Sequence, residues 1–350
     1  MRRLPVFLVL DLSESMIGDD HRRLQEGIKD LLSTLKTDPQ ALETVYLSVI
    51  GFAGQARTIV PLVELPSFFA PRLPVGSGTS LGRAMMHLMD EMDTQVRKTT
   101  PDQKGDWKPI VYLMTDGKPT DSIDAAVNRW NKGYASRAQL IAVGIGQYAS
   151  SGALRRFTES VLNFVNGGEQ DFKKFIRWIS QSVSVQSRSV GMSDSSDTAP
   201  LATFDESFLK KVEQAASQIV QDEDFAIVRA TCAKTKLPYL MKFERAPAQI
   251  RSQHIALEIT PYSLIGVFPV EKDYAEWSDH NAIEGIISSD QLIGSPGCPH
   301  CGNPIGFAMC SCGSIMCISG PGPATCPACN REANFDFGEG PGFDVTRARG

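Results

Sequence analysis

Residues 4–15 read Leu-Pro-Val-Phe-Leu-Val-Leu-Asp-Leu-Ser-Glu-Ser, an apolar run that ends at an acid and two serines. The run has the length and composition of a strand that is buried on both faces. Such strands occur in parallel sheets that helices cover on both sides. The acid and the serines, Asp11, Ser13 and Ser15, follow the strand directly. They are therefore expected at the carboxyl edge of a parallel sheet, where ligands bind.

The same pattern continues along the chain to about residue 186. We predict further strands at residues 44–52, 56–63, 110–115 and 139–145. Apolar side chains recur at helical spacing over residues 24–35 and 81–92, so each of these helices has one face to pack on the sheet. The alternation predicts an α/β fold over residues 1–186, with a doubly wound, mostly parallel, Rossmann-like sheet.

A change of composition marks a second, smaller domain. Residues 187–202 are rich in serine and aspartate and poor in large apolar side chains, which indicates a linker. Thr203 and Glu206 fit a capping box for a helix that continues to about residue 221. Further strands are predicted at residues 225–232, 238–243, 254–259 and 264–270. We therefore expect a β-rich domain over residues 203–337.

The charge and the apolar pattern of the chain argue against several kinds of partner. Its net charge is −5, so it has no overall basic field to attract nucleic acid or an anionic membrane. No apolar run approaches the roughly 18 residues that a membrane-spanning helix needs. The first apolar run is too short for an export signal. We expect a cytoplasmic protein with protein partners and a glycine-rich, fraying tail over residues 338–350.

Two more oxygen-bearing side chains are predicted at the same sheet edge as Asp11, Ser13 and Ser15. Thr79 precedes the helix that contains the second apolar stripe, and Asp116 follows an apolar strand in the stretch Leu-Met-Thr-Asp-Gly. Each residue alone could cap a helix or begin a turn. Together their carboxylate and hydroxyl oxygens form a ligand set that suits Mg²⁺ or Mn²⁺.

This set of five residues resembles the metal-ion-dependent adhesion site of the von Willebrand factor A (VWA) family. The resemblance implies that the side chains bind a cation incompletely and that a carboxylate of a partner protein completes its shell. It implies a binding module rather than an enzyme. The alternative is a metal-dependent hydrolase or phosphatase subunit that uses Asp11 and Asp116. A haloacid-dehalogenase-type phosphatase would need an aspartate where Ser13 stands, and no general base is evident.

Seven of the eight cysteines lie within 32 residues near the end of the chain. Without an export signal, such clustering indicates metal ligation rather than disulfides. Cys298 and Cys301 form one C-x-x-C knuckle, and Cys326 and Cys329 form another. Together they can hold one zinc in a closed tetrahedral site. The segment contains no Lys or Arg between residues 295 and 330, which argues against nucleic-acid binding.

Three cysteines between the knuckles, Cys310, Cys312 and Cys317, are one ligand short of a second zinc site. His300 is the nearest candidate for the fourth ligand, although crossed pairings of all these residues are equally allowed. The other possibility is one structural zinc with three buried free thiols. Cys232 stands alone in a strand pattern and is interpreted as a core residue.

The whole arrangement is similar to that of the TerY-type proteins of tellurite-resistance gene clusters. The similarity rests on the VWA site, the serine-rich linker, the cysteine-rich end and the motif Cys-x-x-Thr-Lys-x-Pro-Tyr-Leu at residues 232–240. It implies a C-terminal TerY-C metal-binding domain. It also implies that a serine/threonine protein kinase and a metal-dependent serine/threonine phosphatase are the partners. The chain would be their adaptor in a tellurite-resistance or stress-linked phosphorylation system.

Overall fold

The computed structural model describes residues 2–116, 118–145, 149, 151–164, 169–189, 209–211, 224–245, 261–279, 285–336 and 342–347. The strands of its first sheet are β1 Leu4–Asp11, β2 Val45–Phe52, β3 Ala56–Glu64, β4 Ile110–Thr115, β5 Gln139–Ile145, β6 Val161–Phe164 and β7 Leu209–Lys211. The helices are α1 Asp19–Leu35, α2 Pro39–Thr44, α3 Leu81–Gln95, α4 Asp124–Gly133, α5 Glu169–Ser189 and α6 Tyr274–Trp277.

The first sheet has the strand order β3-β2-β1-β4-β5-β6-β7. The central strand β1 pairs in parallel with β2 and β4, and β5 and β6 continue in parallel. Only β3 and β7, the outermost strands of this described sheet, run antiparallel to their neighbours. The predicted α/β fold with a mostly parallel sheet is therefore confirmed, and its five predicted strands are present.

Helices cover both faces of this sheet, which explains the uninterrupted apolar run of β1. All eight residues of β1 are buried. Val6 and Leu8 pack in the cluster that contains α1 and α5, whereas Phe7 and Val9 pack on the other face with α3 and α4. Among the described residues, no helix has the length and apolar character needed to cross a bilayer.

The predicted linker is wrong at its beginning. Helix α5 extends to Ser189, and within it Gln186 and Ser187 are fully buried. The Ser187 hydroxyl lies 2.6 Å from the hydroxyl of Thr44 in α2. A small polar side chain that is typical of linkers can thus be buried when a neighbouring hydroxyl group forms a hydrogen bond with it. Residues 190–202 of the predicted linker lie outside the described residues.

The helix predicted over residues 203–221 is wrong at residues 209–211. Leu209–Lys211 instead forms β7, which pairs with β6 at the edge of the first sheet. This pairing satisfies backbone groups that an open sheet edge would leave unpaired, so tertiary context overrides the local helical pattern. The other residues of the predicted helix lie outside the described ranges.

The second domain is β-rich, as predicted. Its strands are β8 Phe225–Thr231, β9 Pro238–Arg245, β10 Tyr262–Pro269, β11 Gly285–Ser288, β12 Leu292–Ile293, β13 Ile305–Met309, β14 Ile315–Ile318, β15 Gly322–Thr325, β16 Glu332–Phe335 and β17 Asp344–Arg347. Six of them form a sheet in the order β12-β10-β9-β8-β14-β13, and β11-β17 and β15-β16 form separate pairs. The strand predicted at residues 254–259 lies outside the described residues.

The predicted fraying tail is wrong over residues 344–347. These residues form β17, which pairs antiparallel with β11. Val345 is 2% exposed and belongs to the core of the second domain. The Arg347 guanidinium donates a hydrogen bond to the carbonyl oxygen of Phe225. The pairing with β11 and the burial of Val345 and Arg347 anchor the segment.

Candidate metal centres

The five residues of the predicted adhesion site lie at one edge of the first sheet, at the end of β1 or in the segments that follow the strands. Asp11 is the last residue of β1, and Asp116 follows the last residue of β4. These strands are parallel neighbours, with Leu10 opposite Met114, so both carboxylates emerge at the same edge. Ser13 forms a bridge with Gly76, which lies in the loop that carries Thr79.

Hydrogen bonds join four of these side chains in one network. The amide of Ser13 donates to Asp11 Oδ1 at 2.9 Å, and the Thr115 hydroxyl donates to Asp11 Oδ2 at 2.5 Å. The Ser15 hydroxyl donates to Asp116 Oδ2 at 2.6 Å and lies 2.9 Å from Ser13 Oγ. Two carboxylates and two hydroxyls are thus held together, as binding of a hard divalent cation requires.

The hydrogen bonding of the Thr79 side chain indicates whether a cation fits this group of residues. The side chain is 1% exposed, and its Oγ1 has no hydrogen-bond partner among the described residues. A buried hydroxyl without a partner is costly. The backbone is well held, because the amide of Thr79 donates to the Thr120 hydroxyl at 2.9 Å. A cation coordinated by Thr79 Oγ1 would satisfy this oxygen, so the residues fit a divalent cation.

The electrostatics of the site also favour a cation. Asp11 is fully buried, and this burial, together with the nearby Asp116 carboxylate, raises the pKa of Asp11 to about 7. Hydrogen bonds from Ser13 and Thr115 lower the pKa but do not outweigh burial. Two buried carboxylates repel each other when both are ionised. A bound divalent cation would offset this repulsion and favour the ionised form of both carboxylates.

We expect cation affinity at this site to rise with pH up to about pH 7. Below this pH the cation must displace the proton of Asp11, and affinity should fall about tenfold for each pH unit. Because the pKa of Asp11 in the folded chain lies above the ordinary aspartate value of 3.8, the cation-free fold loses stability as pH rises from 3.8 to about 7. Dissociation constants for Mn²⁺, measured by electron paramagnetic resonance from pH 6 to 8, would check this. A constant value across the range would contradict it.

Sequence reasoning missed two threonines that support the site. Thr115 binds Asp11 and stands beside Asp116 in the Thr-Asp-Gly stretch, so this stretch could have identified it. Thr120 binds the backbone of Thr79 from a loop with no regular pattern. Nothing in the sequence indicates that contact.

The eight cysteines form two clusters of four thiols. The first cluster consists of Cys232, Cys298, Cys301 and Cys317, and the second of Cys310, Cys312, Cys326 and Cys329. Within each cluster the sulfur atoms all lie within 4.8 Å of one another. Each cluster offers the four thiolates of a closed tetrahedral zinc site.

The predicted pairing of the two C-x-x-C knuckles on one ion differs from this arrangement. The knuckle of Cys298 and Cys301 meets Cys317, because β14 lies beside β8 and Met316 pairs with Thr231 just before Cys232. Cys232, predicted as a core residue, therefore belongs to a cluster. The other knuckle lies against the turn between β13 and β14, which carries the remaining two cysteines. Pairing depends on strand adjacency, which spacing along the chain does not reveal.

His300 is not a member of either cluster. Its Nε2 lies 2.8 Å from the carbonyl oxygen of Pro238, and its ring packs edge-to-face against Tyr239. The expectation that it completes a second zinc site with Cys310, Cys312 and Cys317 is therefore wrong. Its ring instead fastens the first knuckle to β9.

The sulfur separations match zinc coordination. A tetrahedron with zinc–sulfur bonds of about 2.3 Å places its sulfurs about 3.8 Å apart. The Cys301–Cys317 and Cys312–Cys326 separations are 3.7 Å, and the Cys310–Cys329 separation is 3.8 Å. Backbone amides stabilise the thiolates further, since Ala233 N and Thr235 N donate to sulfurs at 3.3 Å. Both clusters fit zinc.

Cys232 begins a turn of the same form as the two C-x-x-C knuckles. The three turns begin at Cys232, Cys298 and Cys326. In each turn the amide of this first cysteine donates a hydrogen bond to the carbonyl oxygen of the residue five positions later. The amide of the residue four positions later donates a hydrogen bond to the carbonyl oxygen of the first cysteine. The fifth residue has positive φ in each, at Lys236, Gly302 and Asn330. The motif at residues 232–240 is thus a knuckle in which Thr235 stands where the second cysteine would be. This similarity to the two knuckles was the feature of the sequence that could have identified Cys232 as a member of a thiol cluster.

Comparison with protein families divides the chain in the same way as the structure. The von Willebrand factor type A domain model matches residues 6–177, and the TerY-C metal binding domain model matches residues 222–350. The first match contains the five residues predicted to form the adhesion site, and the second contains both cysteine clusters. VWA domains are usually interaction modules without enzymatic activity.

Individual relatives match parts of the chain at low identity. Matrilin-3 of Gallus gallus is 24% identical over 153 residues, which are 42% of this chain and 32% of that protein. The chain thus matches about a third of this relative's length. Among solved structures, proximal thread matrix protein 1 of the mussel byssus is 18% identical, with 52% of this chain and 48% of that chain covered and a TM-score of 0.40. A von Willebrand factor type A protein from Catenulispora acidiphila is 14% identical, with 81% and 70% covered and a TM-score of 0.42.

Both parts of the predicted resemblance are therefore present in one chain, in the predicted order. The site geometry at the carboxyl edge of the first sheet accompanies the VWA match, and eight clustered thiols accompany the TerY-C match. This chain belongs to the TerY-type VWA proteins, which join a VWA domain to a TerY-C metal-binding domain.

Proposed function

We propose that this chain is a scaffold that binds a partner protein through a divalent cation, Mg²⁺ or Mn²⁺, at the adhesion site. The observation that carries this proposal is the buried Thr79 Oγ1, which has no hydrogen-bond partner within the described part of the chain and lies beside the network of Asp11, Ser15 and Asp116. Ser15 and Asp116 also line a cleft of about 1160 Å³ between the two domains. A partner's acidic side chain that enters the cleft can complete the cation's coordination shell.

The second domain has a structural role in this function. We propose that each cysteine cluster holds one zinc through four thiolates. Four protein ligands leave no open position for water, so the ions stabilise the fold rather than catalyse a reaction. The chain then acts as an adaptor, with the kinase and phosphatase activities residing in its partners.

The partners proposed are a serine/threonine protein kinase and a metal-dependent serine/threonine phosphatase. This step rests on the TerY-type arrangement of the chain. The net charge of −5 agrees with protein partners rather than nucleic acid. One of these enzymes would supply the acidic residue at the cation, and the second domain would hold the other.

Capture of partners from an extract of the protein's own cells tests the proposal. We expect a kinase or phosphatase to be captured with Mg²⁺ and to be lost when Mg²⁺ is omitted or when Asp11→Ala is used. Mg²⁺ is omitted rather than chelated because a strong chelator would also remove zinc, and bound zinc is measured in every sample.

Asp102→Ala is the matched control for this capture. Asp102 is an exposed acid in the loop before β4, at the opposite edge of the sheet, so its loss should leave capture intact. Equal capture under all conditions would show that the adhesion site does not bind this partner. Mg²⁺-dependent hydrolysis by the purified chain, lost in Asp11→Ala, would favour the hydrolase alternative.

A further inference from the structure

The second domain contacts all three loops that carry ligands of the adhesion site. In the first loop, the Tyr274 hydroxyl donates to the Glu14 carboxylate. In the second loop, the amide of Ser77 donates to the Ser278 hydroxyl at 3.0 Å. In the third loop, Lys118 pairs with Asp224 at 2.8 Å. The site is therefore framed by contacts from a domain that supplies none of its five ligands.

Lys242 on β9 makes the most direct of these contacts. Its ammonium group donates to the carbonyl oxygens of Ser15 at 2.6 Å and Ile17 at 3.1 Å, and it lies 4.2 Å from the centre of the Phe225 ring. Lys242 is only 5% exposed. A buried ammonium requires hydrogen-bond acceptors, so this contact strongly constrains the backbone at Ser15. The Ser15 hydroxyl is thereby held where it meets Asp116.

Close steric fit accompanies the polar contacts. Ile17 packs into an apolar cluster of the second domain with Leu240 and Val270. A Cβ atom on Gly54 would lie 2.0 Å from the backbone nitrogen of Asp279, and one on Gly76 would lie 2.6 Å from Trp277 Cβ. The two domains thus meet at distances that only glycine permits on the VWA side.

We propose that Lys242 is a positioning residue of the adhesion site, and that docking of the second domain and cation binding in the first are coupled. This inference rests on the proposed cation site. The docked domain holds the Ser15 loop in the conformation that binds the cation, so loosening the contact weakens binding. By thermodynamic reciprocity, the bound cation tightens docking by the same factor. The second domain thereby senses whether the adhesion site is occupied.

Mn²⁺ affinity of the full-length, zinc-loaded chain tests the coupling. In Lys242→Met, which removes the two hydrogen bonds, we expect the dissociation constant measured by electron paramagnetic resonance to rise about tenfold. Lys36→Met is the matched control, because Lys36 also donates to two backbone carbonyls, those of Pro66 and Phe68, without touching the site. Unchanged affinity in Lys242→Met would overturn the proposal. Tighter binding would do so too, because the ammonium would then act only by repelling the cation.

A second variant separates positioning from charge. Gly54→Ala introduces no charge but collides with the backbone at Asp279, and we expect it to weaken Mn²⁺ binding as well. Gly133→Ala is its control, since a Cβ atom there meets nothing within 4 Å. Bound zinc and thermal melting, measured on each variant, establish that both domains remain folded. Equal Mn²⁺ affinity in the two glycine variants would contradict the coupling.

Hydrogen exchange tests the reciprocal effect. Mg²⁺ should slow amide exchange at residues 238–245 and 270–279 of the second domain in the wild-type chain, and should have no effect there in Asp11→Ala. An effect of Mg²⁺ confined to the first domain would overturn the coupling. If the wild-type chain binds no Mn²⁺, the proposed function itself fails; if it binds and the variants bind equally well, only the coupling fails.

Discussion

Replacing Cys232 with serine is expected to lower the zinc content of the purified chain from two ions to one. Cys232 is fully buried and belongs to the first cluster of thiols. A hydroxyl is a much poorer zinc ligand than a thiolate. A structural zinc contributes about 10–16 kcal/mol of apparent binding free energy, so its loss should also unfold much of the second domain. Elemental analysis and limited proteolysis would measure the two effects.

His300→Ala is the control that distinguishes the two possible pairings. It removes a ring that contacts Pro238 and Tyr239, and His300 belongs to neither of the two described thiol clusters, so two zincs should remain bound. If His300 completed a zinc site and Cys232 were a core residue, His300→Ala would lose one zinc and Cys232→Ser would keep two. Retention of two zincs by Cys232→Ser would therefore contradict the clusters described above.

Replacing Asp11 with asparagine is expected to weaken Mn²⁺ binding more than about 100-fold. Loss of a residue that merely supports a ligand costs about 10- to 100-fold in metal affinity, and Asp11 is itself one of the proposed ligands. Asparagine keeps the shape of the side chain and one oxygen acceptor for the amide of Ser13, but it removes the charge that the cation needs.

Thermal melting without added divalent cation separates this effect from unfolding. Burial and Asp116 raise the pKa of Asp11 to about 7, so at pH 8 the ionised carboxylate lowers the stability of the cation-free fold. We therefore expect Asp11→Asn to melt at the wild-type temperature or above it under these conditions. Asp102→Asn, an exposed control, should change neither melting nor Mn²⁺ affinity. Mn²⁺ binding at wild-type strength in Asp11→Asn would refute the assignment of this ligand.

Strands and helices of the first domain were predictable because their burial is local and regular. The apolar run of β1 and the helical stripes of α1 and α3 each follow from a single periodicity. Short edge strands were not predictable in the same way. β7 and β17 have three and four residues, and each is stabilised mainly by the strand that it pairs with.

The meeting of the five candidate site residues at one sheet edge was predictable for a related reason. Asp11 and Asp116 follow apolar strands directly, and parallel strands place their carboxyl ends at one edge whatever the rest of the chain does. The supporting contacts were not predictable. Lys242 is separated from Ser15 by 227 residues, and its sequence context is that of an ordinary lysine in a strand.

By itself, the sequence determined the fold class and the metal-binding character of the cysteine-rich domain, and it predicted the five residues that meet at the carboxyl edge of the first sheet, because these depend on residue types at short spacings. Only the tertiary structure decided which thiols meet and which residues of the second domain contact the adhesion site. Thiol clusters and domain contacts form where distant segments become neighbours, as Cys232 does with Cys317 when β8 lies beside β14. Such adjacency is set by the packing of the whole chain, and no local pattern encodes it.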